Sequence, residues 1–138
     1  MIYQAKAMYT LRITTSYAEN WRYNIMLTCA LKNEADEQVG FFSAEDSILP
    51  ISTNSTTPPE GFVRQRVVER DFGPCHSIDL CLYLLPNSLP ETKTLKGEKL
   101  SFPIKISILK DGETIFTEKW EVNRFGGIGK EQTIVING

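Results

Sequence analysis

Cys29, Cys75, His76 and Cys81 carry the side chains in this chain best suited to metal binding or nucleophilic attack. Three thiolates and an imidazole are a known tetrahedral zinc set. The spacing argues against that use. Cys75 and His76 are adjacent, whereas structural sites separate paired ligands by about two to four residues. Cys29 and Cys81 fall in apolar runs that read as strands, where cysteine behaves as a small hydrophobe. No metal and no cofactor is expected. A Cys75–His76 nucleophile pair would support a cysteine-dependent hydrolase, but chain neighbours rarely face one another, and working pairs come from separate elements. His76 is the one histidine, so a Ser-His-Asp arrangement would also have to use it. The expectation is a chain with no catalytic residue.

Other groupings weaken on inspection. Gly126-Gly127-Ile128-Gly129-Lys130 has the look of a phosphate-binding loop, but Glu131 stands where the pattern needs a hydroxyl and Arg124 where it needs glycine. Arg64, Arg66 and Arg70 share one parity and read as a basic stripe on a solvent-facing strand, diluted by Glu69 and Asp71. With Phe125 they form the candidate interaction surface. Trp21, Trp120, Phe62 and Phe125 could stack on a sugar or a base, although aromatic residues at a two-residue period belong more often to a core. Nothing fixes the separation that acid–base work by Glu45 and Asp46 would require.

The 138 residues match the common size of one domain and can bury a core without staples. A single domain over 1–138 is expected. Fifteen basic and seventeen acidic residues leave a net charge of -2, too little field to favour nucleic acid or an anionic membrane. No apolar run approaches spanning length, so no membrane insertion is expected. Three cysteines, an odd number, fit a reducing and therefore cytoplasmic setting.

The elements that must position these residues read as strands. Trp21, Tyr23, Ile25, Leu27, Cys29 and Leu31 alternate with Arg22, Asn24, Met26, Thr28, Ala30 and Lys32. Ala7 to Thr14 alternates likewise, and across the break at 16–20 the two runs read as antiparallel neighbours. A third strand follows at Val39–Phe42. The loop Ser52–Glu60 should lie on the surface and move. Phe62–Phe72 reads as a strand, with one short helix near 58–72 as the alternative, because Thr57-Pro58-Pro59-Glu60 resembles a capping box. Ile78–Leu85 is apolar on both parities and predicts a central strand covered on both faces. After the polar connection 86–97, Leu100–Ile108 alternates around Pro103, which must sit at an edge, at a bulge or with its nitrogen turned outward. For the hairpin at Asp111-Gly112, a three-residue loop with a bulge sets Ile106 opposite Phe116 and Phe102 opposite Trp120, gathering large apolar groups on one face. Glu118 then needs an edge or a partner. A last strand spans Thr133–Ile136.

About seven to nine short strands predict an all-β, two-sheet β-sandwich. The strand ending in Leu31-Lys32-Asn33-Glu34-Ala35-Asp36, with a later Leu95-Lys96-Gly97-Glu98 leading into another, is similar to immunoglobulin-like and prealbumin-like sandwiches. The expected function is a non-enzymatic protein-interaction or structural module, a subunit or accessory domain whose partner is another protein. Leu100–Ile108 is one place for a partner's strand to add. The alternative is a module binding a carbohydrate or lipid, which an exposed Trp21 or Trp120 would support.

Overall fold

The computed structural model describes residues 7–47, 56–89 and 100–136. Eight strands follow one another: β1 (Tyr9–Thr15), β2 (Tyr23–Lys32), β3 (Gln38–Asp46), β4 (Arg66–Phe72), β5 (Ser77–Pro86), β6 (Ser101–Lys110), β7 (Glu113–Asn123) and β8 (Ile128–Val135). They form two four-stranded antiparallel sheets, ordered β4-β1-β6-β7 and β3-β2-β5-β8. The fold is an all-β two-sheet sandwich. Its core follows from alternation: Leu11 and Ile13 of β1, Ile104, Ile106 and Ile108 of β6, and Leu80, Leu82 and Leu84 of β5 are all at most 1% exposed. Each such side chain contributes about 2 kcal/mol on burial.

Several expectations about these strands need correction. β1 and β2 are not neighbours: β1 pairs with β4 and β6 while β2 lies in the other sheet. The break between them carries the chain across the sandwich through a short 3-10 turn at Asn20–Arg22, which also takes Trp21 out of the strand. The amide of buried Asn20 holds this crossing, donating to the Tyr17 and Arg64 carbonyls at 2.9 and 2.7 Å. The first two strands of an immunoglobulin constant domain share a sheet, so the strand order here departs from that arrangement. Within 58–72, the described backbone holds strand β4 and no helix.

β5 is central as expected, but only one of its faces is covered. Asp79, Cys81 and Tyr83 point outward from the second sheet, and Tyr83 is 42% exposed. Of the run Leu100–Ile108, all but Leu100 belongs to β6, an internal strand, so it offers no free edge. Pro103 is tolerated because β1 pairs with β6 only as far as Lys105. The Pro103 carbonyl accepts from Thr15 Oγ1, placing its nitrogen on the same side, past the end of that ladder.

The β6–β7 turn has two residues, and both Asp111 (φ 49°) and Gly112 (φ 86°) are left-handed, the backbone an Asp-Gly pair favours. The bulge lies further along, at Ile115, where the register shifts between Ile108 and Leu109. Phe116 therefore faces Ile108, Glu118 faces Ile106, and Trp120 faces Ile104. The large apolar groups still share one face, but the predicted pairs Ile106–Phe116 and Phe102–Trp120 do not form, because a two-residue turn plus a bulge, in place of a three-residue loop, moves each β6 partner by two residues. Glu118 has both an edge strand and partners: Trp120 Nε1 and Gln132 Nε2 donate to it at 3.1 and 3.0 Å. These bonds, Gln132's first, hold its carboxyl below the usual range. The last strand is longer than predicted and takes in Gly129.

Of the loop Ser52–Glu60, residues 56–60 are described and lie at the surface. The rest of it, and the segment Leu95-Lys96-Gly97-Glu98, fall outside the described residues.

Candidate functional site

The arginines predicted to make a basic stripe are not on one solvent face. The parity is the inward one, shared with Val68 and Phe72. Arg66 is only 6% exposed and works as a strut. Its guanidinium donates to Asp46 Oδ2 at 2.8 Å, to the Asp46 carbonyl at 2.6 Å, and to the Asn20 and Tyr23 carbonyls at 2.8 and 2.6 Å. One side chain thereby ties β4 to the neighbouring sheet. Burial lowers its pKa, and the bond from Asp46 opposes that shift. Arg64 is exposed and donates to the Ser16 carbonyl at 2.6 Å. Arg70 reaches the rim between β4 and β3. Phe125 follows β7, at the opposite edge of the first sheet from β4, so the structure does not bring it to the arginines.

The three thiols do not gather on one side of the second sheet. Cys29 points into the core, and burial pushes its pKa up to about 12. Cys75 is also buried and its pKa is raised by desolvation, the reverse of what a nucleophile needs. Cys81 sits on the far side of the same sheet, its sulfur 3.7 Å from Glu131 Oε1. Among the described residues no group of three or more His, Cys, Asp or Glu is placed to hold an ion. The glycine-rich segment is a crossing between sheets. Gly127 has φ +73° and passes so close to the Leu84 carbonyl that a Cβ would sit 1.9 Å from its oxygen. Trp21 and Trp120 are 2% and 3% exposed, covered by Arg22 and Lys130 cations at 4.4 and 4.5 Å. Asp46 is paired with Arg66, and Glu45 accepts from Ser47 at 2.7 Å.

A different surface emerges on the outer face of the β3-β2-β5-β8 sheet. The register sets Phe41, Ala30, Asp79 and Thr133 in one row across the four strands. The next row holds Ser43, Thr28, Cys81 and Glu131, and the one after it Glu45, Met26, Tyr83 and Gly129. Phe41 is 59% exposed and Met26 42%. A shallow hollow of about 530 Å³ lies between Phe41 and the Asp79, Glu131 and Thr133 side chains. A second, of about 340 Å³, is lined by Met26, Ser43, Glu45, Tyr83 and Arg70.

Local chemistry fixes the polar part of this face. Thr133 Oγ1 donates to Asp79 Oδ1 at 2.6 Å, and Lys32 Nζ lies 3.7 Å from the same carboxylate. The Tyr83 ring lies over Gly129, where a Cβ would meet it at 2.7 Å. A glycine in the strand thus makes room for an aromatic ring from its neighbour. The Tyr83 hydroxyl is held above its ordinary pKa by its interaction with the Cys81 thiol and, less, by Glu131. The sequence carries a signal for this face, since the outward parity of IDLCLYLL is partly apolar, but the same pattern predicts a second covering layer.

No protein-family model matches the chain, and no curated protein matches it. Among solved structures, it is similar to a domain of unknown function, DUF4425, from Bacteroides vulgatus ATCC 8482, at 9% identity over 99% of each chain with a TM-score of 0.44. A likeness at that level carries no argument about what this chain binds.

Proposed function

We propose that the chain is a non-enzymatic protein-interaction module, a subunit or accessory domain of a larger assembly, with its docking surface on the outer face of the β3-β2-β5-β8 sheet. One observation carries the reading: Phe41, Met26, Tyr83 and Val135 are all at least 42% exposed on this face, two of them on its inner strands β2 and β5, whereas on the other sheet polar pairs occupy the outer face around β1 and the exposed Met8 and Val67 lie before β1 and on the edge strand β4. An antiparallel sheet with one free face ordinarily turns polar residues to water. Exposed apolar side chains on both sides of the Ser43–Thr28–Cys81–Glu131 row, with Asp79 and Glu45 beside them, fit a contact with something else. Of the two sandwich types the sequence resembles, the separation of β1 from β2 favours the prealbumin-like one.

The test is retention of a native-host partner by the wild-type chain and by a Met26→Asp, Tyr83→Asp double variant. Loss of a stoichiometric partner from the variant alone supports the reading, and identical behaviour of the two chains overturns it. A second reading, a small polyol or sugar in the larger hollow, is favoured by the exposed Phe41 ring beside Asp79, Glu131, Thr28 and Thr133. It differs in that Phe41→Ala would abolish calorimetric binding of a simple oligosaccharide. The hydrolase reading would need an exposed Cys75 with a lowered pKa, and the buried thiol lends it no support.

A further inference from the structure

Among the described residues, the open sandwich leaves four edge strands, β4, β7, β3 and β8. An edge strand presents unpaired amides and carbonyls, and folded proteins blunt such edges with charges, prolines, bulges or cover. Three of these edges are blunted. β4 carries Glu69, Arg70 and Asp71 in succession. β7 carries Glu118, Lys119 and Glu121 in addition to its bulge, and β8 has Lys130 and Glu131 near its middle. β3 differs, because the whole run Gln38–Ala44 holds neither a charge nor a proline. Its own irregularity, at Val39, affects only its start, and Gly40–Asp46 pairs with β2 in unbroken register. Val39 and Phe41 are 55% and 59% exposed.

The flanks of this uncharged edge are acidic. Glu34, Asp36 and Glu37 are exposed in the turn before it, and Glu45 is exposed at its other end. Arg70 lines the hollow beside Glu45, so the acidity is stronger at the Glu34–Glu37 end. That pattern selects among occupants. Two copies pairing β3 with β3 about a two-fold axis would bring the Glu34–Glu37 end of one against the Glu45–Asp46 end of the other, opposing like charges. An extended segment with cationic ends meets attraction at the same places.

We propose that β3 accepts, by strand addition, an extended segment of a partner protein with alternating apolar residues in its middle and Lys or Arg at its ends. This rests on the reading of the second sheet as a partner surface and names the partner's chemistry. Backbone hydrogen bonds to the free edge supply affinity, while Val39, Phe41 and Ser43 on the outer face select the neighbouring side chains.

The test uses the full chain and three synthetic peptides: Lys-Thr-Val-Thr-Val-Thr-Lys, the same core with Glu at both ends, and a Lys-flanked version with a central proline. Amide hydrogen exchange is followed by NMR. The Lys-flanked peptide should slow exchange at alternate residues within 40–45. It should bind about tenfold more tightly than the Glu-flanked one at low salt, with the gap closing as salt is added. The proline peptide should protect none of these amides. Phe41→Lys, a change at an exposed position, should remove the preference for cationic ends. Equal binding of the two flanked peptides, or no protection within 40–45, overturns the proposal. Concentration-dependent protection of the same amides without peptide also overturns it, because that is the mark of a second copy. Loss of the native partner from the Met26→Asp, Tyr83→Asp variant, with no peptide protection of β3, sinks strand addition alone and leaves the docking face standing.

Discussion

On the outer face of the β4-β1-β6-β7 sheet, Thr10 donates to Asp71 at 2.8 Å, Arg12 pairs with Glu69, and the Ser107 and Thr117 hydroxyls meet at 3.2 Å. On the outer face of the other sheet, corresponding rows hold Phe41 beside Ala30, and Met26 beside Tyr83. Both sheets bury one parity of each strand, so they draw equally on the hydrophobic effect for stability. The difference lies in the parity that folding leaves free. Cross-strand polar pairs finish the first face around β1 for water at a gain of a few tenths of a kcal/mol each, leaving Met8 before β1 and Val67 on the edge strand β4 exposed. The second face keeps apolar area exposed, which folding alone does not require. The contrast separates residues that hold the sandwich together from residues available to a partner.

The most severe way to break the comparison is to cut the strut that joins the two sheets. Arg66→Met should destabilise the chain by about 3 kcal/mol in urea unfolding, since it strands the buried Asn20 and Tyr23 carbonyls and the part-buried one of Asp46, and leaves the Asp46 carboxylate without its partner. A loss under about 1 kcal/mol would mean that the guanidinium is replaceable by water. Next comes Gly129→Val, which places a Cβ against the Tyr83 ring and should cost about 1 kcal/mol while tilting that ring off the second face. Unchanged tyrosine chemical shifts would contradict it. Smaller still, Arg12→Ala on the first face and Phe41→Ser on the second should each change stability by less than about 0.5 kcal/mol. Only Phe41→Ser should reduce binding of an apolar dye, and equal dye binding by both variants would erase the distinction between the faces.

The cysteines give the mildest probe. Under native conditions Cys81 should react with a thiol reagent well before Cys29 or Cys75, because it alone points outward. The pH dependence of stability has a definite sign. Burial raises the Cys29 pKa from 9.0 to about 12, so folding favours the protonated thiol. Its contribution is complete below the lower value and is lost as pH rises toward the upper one. Stability should therefore fall across that alkaline window in the wild type and fall less steeply in Cys29→Ala. Parallel curves would show that the thiol titrates alike in both states.

Alternation from Ile25 to Leu31 and from Leu100 to Ile108 disclosed strands and their buried sides, since a pleated chain sends successive side chains to opposite faces whatever its neighbours are. The same periodicity says nothing about which strand lies alongside. Ser16–Asn20 reads as a hairpin connection and instead crosses the sandwich. Arg64, Arg66 and Arg70 read as solvated because charge usually is, yet the carbonyls that receive Arg66 come from residues 20 or more positions away in the chain.

By itself the sequence determined the element type, the inward parity of most strands and the position, though not the length, of the turn at Asp111-Gly112, all of them consequences of local backbone preference and side-chain alternation. Only the tertiary structure decided that β3 lies at an edge, that Arg66 is enclosed, and that the outward residues of β5 remain uncovered. Those outcomes depend on sheet order, which is fixed by pairings between distant segments and so has no local signature.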